Sequence, residues 1–154
     1  LTAHTFSKAL GGHGGLIAGD AAFIAQVGRS AVALSASSPP PIPAAAASAW
    51  ALDFVAAHPE RRAALWANVA RARAGFRALG WTLEESPSPI ICLRARPSLD
   101  LARMQAELFE RDICVAHVTR YSSTPAGGAL RVAIFATHTA EQIDRLLAEV
   151  AVLA

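Results

Sequence analysis

One lysine stands in this sequence, and its neighbours make it a candidate for covalent chemistry. In TFSKALGGHGG, Lys8 follows the hydroxyls of Thr5 and Ser7 and precedes Gly11, Gly12, Gly14 and Gly15. Every other side chain of the Lys/Arg type is arginine. An amine condenses with an aldehyde to a Schiff base, and among side chains only lysine can do this. A phosphate-bearing cofactor needs hydroxyls and close backbone N–H groups, which Thr5, Ser7 and the glycines could supply. Residue types alone leave a second reading open, a glycine-rich hairpin with an exposed lysine.

The rest of the composition narrows the field. A chain of 154 residues suits one domain, or one and a piece. With 53% hydrophobic and 17% charged residues there is material for a core and no case for disorder. A net charge of +2 is too balanced to argue for nucleic acid or a membrane surface. Cys92 and Cys114 lie in apolar runs without a CxxC spacing. They read as buried free thiols of a reducing compartment rather than a disulfide or a metal pair, so no metal site is expected. No apolar run approaches the ~18 residues of a membrane span and no signal peptide is evident, so the cytoplasm is expected. Leu1 opens the chain with a motif following at once, which reads as a chain without its beginning.

The positioning elements follow from periodicity and punctuation. LTAHTFSKAL reads as a strand entering a loop, GGLIAGD as a short buried strand, and AAFIAQVGRS as a helix ending near Gly28. After SAVALSASS and PPPIP, a helix runs from Ala44 to about Ala57, broken at His58-Pro59. The next helix carries Leu65, Val69, Ala72, Phe76 and Leu79 at helical spacing, arginines on its other face, and Gly80 as C-cap. Beyond it, WTLEES, PIICLRA, ICVAHV and ALRVAIFA read as strands. SLDLARMQAELFERD reads as a helix capped by Ser98, and the last helix opens on a Thr139–Gln142 capping box. The order β-β-α-β-β-α predicts a small α+β unit with a mostly antiparallel sheet.

Four stretches, in the same order, resemble the pyridoxal-phosphate enzymes of fold type I, within the class I/II aminotransferase superfamily. TFSKALGGHGGLIAG is similar to the lysine motif of the α-oxoamine synthases, T-[FL]-[SG]-K-[AG]-x-G-x-x-G-G. That group includes 8-amino-7-oxononanoate synthase, 5-aminolevulinate synthase, glycine C-acetyltransferase and serine palmitoyltransferase. SAVALSASSPPPIPAAAA resembles the stretch that carries F-S-T-x-L-P-P. SPIICLRA resembles the strand that opens the small domain, and ALRVAIFATHTAEQIDRLL resembles the family's ending. The resemblance covers essentially the whole chain.

The resemblance implies a division into three parts. Residues 1–38 would end an α/β large domain that binds the cofactor, 39–80 would be interdomain helices, and 81–154 would form the small α+β domain. It implies that Lys8 carries the internal aldimine of pyridoxal 5'-phosphate and later removes the substrate's α-proton. Thr5, and less closely Ser7, match phosphate-binding positions. Ser35 matches a hydroxyl that reaches the neighbouring subunit's phosphate, although Ala36 replaces a second hydroxyl. Arg131 matches the arginine that grips the substrate's α-carboxylate, and a planar guanidinium suits that task. The alternative for Arg131 is an ordinary strand arginine paired with an acid. His138 reads as structural, beside the capping Thr139. His117, Arg120 and Tyr121 could line the substrate entrance.

In the family, an aspartate paired with the pyridine nitrogen and a phosphate loop lie upstream of the lysine motif. This chain alone is therefore expected to be inactive. The implied whole is a homodimeric transferase that condenses a small amino acid with an acyl-CoA. Two alternatives remain: an aminotransferase of the same fold, and a non-catalytic truncated homologue acting as a structural or binding module.

Overall fold

The computed structural model describes residues 1–97, 99–120, 124 and 127–154. They divide into two compact units, Leu1–Pro59 and Glu60–Ala154. The division falls within the stretch 39–80.

The first unit begins with an antiparallel hairpin of β1 (Thr2–Thr5) and β2 (Gly15–Ala18), in register from Thr2 opposite Ala18 to Thr5 opposite Gly15. GGLIAGD thus forms a strand, but one with Ile17 51% exposed rather than buried. A two-stranded ribbon has few neighbours to cover it. Asp20 caps α1 (Ala21–Ser30), its Oδ1 accepting from the Ala22 and Phe23 N–H groups at 2.9 and 3.3 Å. The helix runs two residues past Gly28, because glycine weakens a helix without ending it. A 3-10 turn at Val32–Leu34 precedes the prolines.

Next, α2 (Ile42–Ala57) starts two residues before Ala44, with Pro43 in its first turn, where proline's missing N–H costs nothing. It stops at His58 because the following Pro59 disfavours helical geometry in the residue before it. Its sequence is apolar on all sides apart from Ser48 and Asp53. Ile42, Trp50, Leu52 and Val55 are exposed.

Every buried apolar residue among those described lies in the second unit. Its three-stranded sheet has the order β3 (Ile90–Arg94), β5 (Ala129–Ala133), β4 (Ala116–Val118), all antiparallel. Helices α3 (Pro59–Ala78), α4 (Leu101–Glu110) and α5 (Ala140–Leu153) pack their apolar faces with it. Val69, Ala72 and Phe76 come from α3, Leu101, Met104 and Leu108 from α4, and Ile143, Leu146 and Val150 from α5. Among the described residues no helix is long and apolar enough to cross a membrane.

The caps show why these helices stop where they do. Gly80 takes φ +80°, and the Trp81 N–H reaches back to the Phe76 carbonyl at 2.9 Å, the six-to-one bond of a Schellman turn. At α5, Thr139 and Gln142 make the reciprocal capping box. Ser98 lies outside the described residues. Asp100 caps α4, accepting from the Ala102 and Arg103 N–H groups at 3.0 Å each.

Three expectations need correction. WTLEES is not a strand, and the order after Gly80 is β-α-β-β-α. The reason lies with Arg73, which is buried rather than on a solvated face. Its guanidinium donates to the carbonyls of Glu84, Ser86 and Ser88 at 2.8, 3.2 and 3.4 Å, satisfying groups that a ladder would have used. Cys92 and Cys114 are exposed, not buried. Ile91 and Leu93 enter the core, so strand alternation turns Cys92 outward.

Arg71 of α3 and Asp144 of α5 form a bidentate pair, Nε to Oδ1 at 2.7 Å and Nη2 to Oδ2 at 2.5 Å. The Arg71 hydrogen bond, aided by its charge, holds the Asp144 carboxyl below its ordinary value of 3.8. A depressed folded pKa gives stability that is present above the unfolded value and lost as pH falls through the folded one. Arg71→Gln should raise the Asp144 pKa toward 3.8, read by carboxyl NMR titration. The stability difference between wild type and variant should then shrink to nothing as the pH is lowered through Asp144's folded value.

Candidate functional site

The lysine loop is built by backbone bonds that continue the β1–β2 hairpin. The Phe6 N–H donates to the Gly14 carbonyl at 2.9 Å, and the Gly12 N–H donates to the Phe6 carbonyl at 2.8 Å. Within this closure the Gly11 N–H donates to the Lys8 carbonyl at 3.0 Å. The tight path needs φ +60° at Gly11 and +83° at Gly14, which glycine adopts without steric cost. Lys8 stands exposed on the loop's rim.

Two hydroxyls meet beside it. Thr5 Oγ1 and Ser7 Oγ lie 2.9 Å apart, and Thr5 Oγ1 also accepts the Ser7 N–H at 3.3 Å. Thr5 and Ser7 are both exposed. The hairpin therefore gathers an amine and a hydroxyl pair within four consecutive residues. That donor set suits a phosphorylated aldehyde: the hydroxyls can donate to phosphate oxygens and the amine can form an imine.

The loop rests on a serine that sequence reasoning passed over. Ser48 is 2% exposed and donates to the Ala44 carbonyl at 2.9 Å. A Cβ on Gly12 would stand 1.8 Å from Ser48 Oγ, 3.1 Å from its Cβ and 3.3 Å from the Ala44 carbonyl oxygen. The loop backbone thus packs directly onto α2, closer than any side chain allows. The available signal was Ser48's place as the lone polar residue of AAAASAWA.

Ser35 ends the 3-10 turn of the same unit, exposed between exposed Val32 and Leu34 and the left-handed Ala36 at φ +57°.

Arg131 belongs to the second unit, on the central strand β5. Leu130 and Val132 point into the core, so Arg131 points away from it, exposed. Its guanidinium makes no hydrogen bond or ion pair with the described residues, so the strand-arginine alternative finds no acid there. Other arginines of the unit are committed. Arg71, Arg77, Arg94, Arg103 and Arg111 have carboxylate partners, and Arg96 stacks over Trp81 at 3.9 Å.

His138 is held in a turn. Its Nδ1 accepts the Phe135 N–H at 3.2 Å, and its carbonyl accepts from Asn68 Nδ2 at 2.8 Å. His117 packs against Gly128, where a Cβ would stand 2.7 Å from its Nε2. Arg120 is exposed, and Tyr121 lies outside the described residues.

The Gly12 contact makes a stability prediction. Gly12→Ala should destabilise the full-length protein by about 1–3 kcal/mol through overpacking. Ser48→Ala removes the nearest obstructing atom, so the double variant should recover part of that loss. Urea unfolding of the four proteins tests this, and strictly additive losses would contradict the contact.

Comparison with known proteins places this arrangement. Residues 1–150 match the family model described as aminotransferase class I and II. The 8-amino-7-oxononanoate synthase of Thioalkalivibrio sulfidiphilus is 38% identical over 93% of this chain and 36% of its own length. A serine palmitoyltransferase of Bacteroides ovatus is 37% identical over 92% of this chain and 36% of its own. A solved structure of SPT with a PLP internal aldimine superposes with a TM-score of 0.85 at 26% identity, over 98% of this chain and 38% of that one. The chain spans little more than a third of the length of these relatives. Its fold is accordingly that of a PLP-transferase, the end of an α/β domain followed by an α+β unit. The chain belongs to the aminotransferase class I and II family.

Proposed function

We propose that this chain is the C-terminal part of a pyridoxal-phosphate-dependent transferase that joins an amino acid to an acyl-CoA. The observation that carries the reading is the Lys8 loop, in which the hydroxyls of Thr5 and Ser7, the latter next in sequence to the lysine, lie 2.9 Å from each other. The names of the relatives, 8-amino-7-oxononanoate synthase and serine palmitoyltransferase, support acyl transfer over amino transfer.

Pyridoxal phosphate, when bound, supplies an aldehyde for amines and a ring that accepts the electron pair left on the substrate's α-carbon. Lys8 would hold the cofactor through Nζ, and its amine, when free, would take the proton from the substrate's α-carbon. Thr5 and Ser7 donate to the phosphate. Arg131, free of acid partners, binds the α-carboxylate with its planar fork. With the cofactor bound, the site would join the amino acid's α-carbon to the thioester carbonyl and release the CoA thiol, the α-proton passing to Lys8.

In this reading residues 1–38 end the cofactor-binding large domain, 39–80 connect, and 81–154 form the small domain. The exposed apolar surface of α2 supports burial by polypeptide outside this chain, since a helix apolar all round belongs in an interior. Ser35 reaches the phosphate of a second subunit in a homodimer, which fits its exposure beside Val32 at 86% and Leu34 at 56%.

The full-length protein, given pyridoxal phosphate, an amino acid and an acyl-CoA, should release free CoA thiol. Lys8→Ala should abolish that release. Conversion of the amino acid to its oxo acid without thiol release would identify an aminotransferase instead.

A further inference from the structure

We propose that Cys92 forms one wall of the subsite in which Arg131 receives a carboxylate, and so limits what group can lodge beside it. The inference rests on the reading of Arg131 as the carboxylate anchor. Its own basis is the register of the small sheet. Arg131 stands directly opposite Cys92 on β3 and directly opposite Ala116 on β4. Directly opposed residues of an antiparallel pair share a face, with Cβ atoms roughly 4.5–5.5 Å apart. Arg131 is thus flanked by a thiol on one side and a methyl on the other.

Charge and exposure on that face point the same way. Cys92 and Arg131 are both exposed. Arg94, next on β3 to face this side, is paired with Glu84. Among the described residues, the cation opposite Cys92 whose side chain has no partner is therefore Arg131. A carboxylate held by that guanidinium lies against the sulfur, whereas the Ala116 side leaves more room. The subsite is asymmetric, and a larger residue at position 92 would crowd the bound carboxylate.

Iodoacetate and iodoacetamide read this geometry directly, since they differ in the carboxylate. In either reaction the sulfur bonds to the reagent's methylene carbon as iodide leaves with the bonding pair, and the thiol proton passes to solvent. In the native full-length protein the iodoacetate-to-iodoacetamide rate ratio at Cys92, followed by peptide mass spectrometry, should exceed that of the same residue in urea-unfolded chain by roughly threefold or more at low salt. Arg131→Gln should remove the excess and Arg131→Lys should retain it. A native ratio equal to the unfolded one, or an excess that survives Arg131→Gln, overturns the proposal, and the wild-type comparison stands even if a variant fails to fold. CoA release combined with an Arg131-independent ratio would sink this inference alone. An Arg131-dependent ratio without CoA release would sink the proposed reaction and leave the subsite standing.

Discussion

The alternation of the central strand β5 is the constraint on which the second unit depends. Leu130 and Val132 must enter the core with Ile91 and Leu93, because that cluster is what the three helices cover. The residue between them must then leave it. Arg131 is held outward by a strand with a partner on each edge, so its direction is set by backbone pairing rather than by a flexible loop. A one-residue slip would exchange the faces and bury the guanidinium without an acid, which the cost of an unpaired buried charge strongly disfavours. The same register sets Cys92 opposite the arginine.

The first unit solves a different problem, how to present an amine on a short loop without burying it. It does so with main-chain bonds from Phe6 to Gly14 and from Gly12 to Phe6, reinforced by the Thr5 hydroxyl, which accepts the Ser7 N–H and donates to the Gly14 carbonyl. Thr5, Ser7 and Lys8 all stay exposed. Gly12 then brings the backbone onto Ser48, and α2 becomes the floor of the loop. The glycines serve separate purposes: Gly11 and Gly14 for their left-handed φ, Gly12 for close approach.

Much of this was legible in the residues because local rules governed it. The Gly80 cap, the Thr139–Gln142 box and the helix through Val69, Ala72 and Phe76 depend on short-range geometry and came out as spacing predicts. What escaped was decided over longer distances. WTLEES has the texture of a strand, but Arg73 takes its carbonyls. Helical spacing places Arg73 on the apolar face with Val69, Ala72 and Phe76, but its carbonyl partners beyond Gly80 follow from no local pattern. Cys92 was misjudged from its apolar run, where alternation within PIICLRA was the better guide. GGLIAGD reads as buried because its composition suits an interior, yet it forms one edge of a two-stranded ribbon with Ile17 exposed. At the candidate site, the lysine and its hydroxyls stand together in one motif, whereas Ser48 shows in the sequence only as a lone polar residue in an apolar helix, and its contact with Gly12 joins distant segments.

Borohydride reduction of the full-length protein after addition of pyridoxal phosphate tests the central claim most directly. Peptide mass spectrometry should then find the pyridoxyl group on Lys8, with the visible absorbance of the bound cofactor lost in Lys8→Ala. A full-length, folded protein that shows no such band and no modification at Lys8 would contradict the account and leave the loop as a structural hairpin.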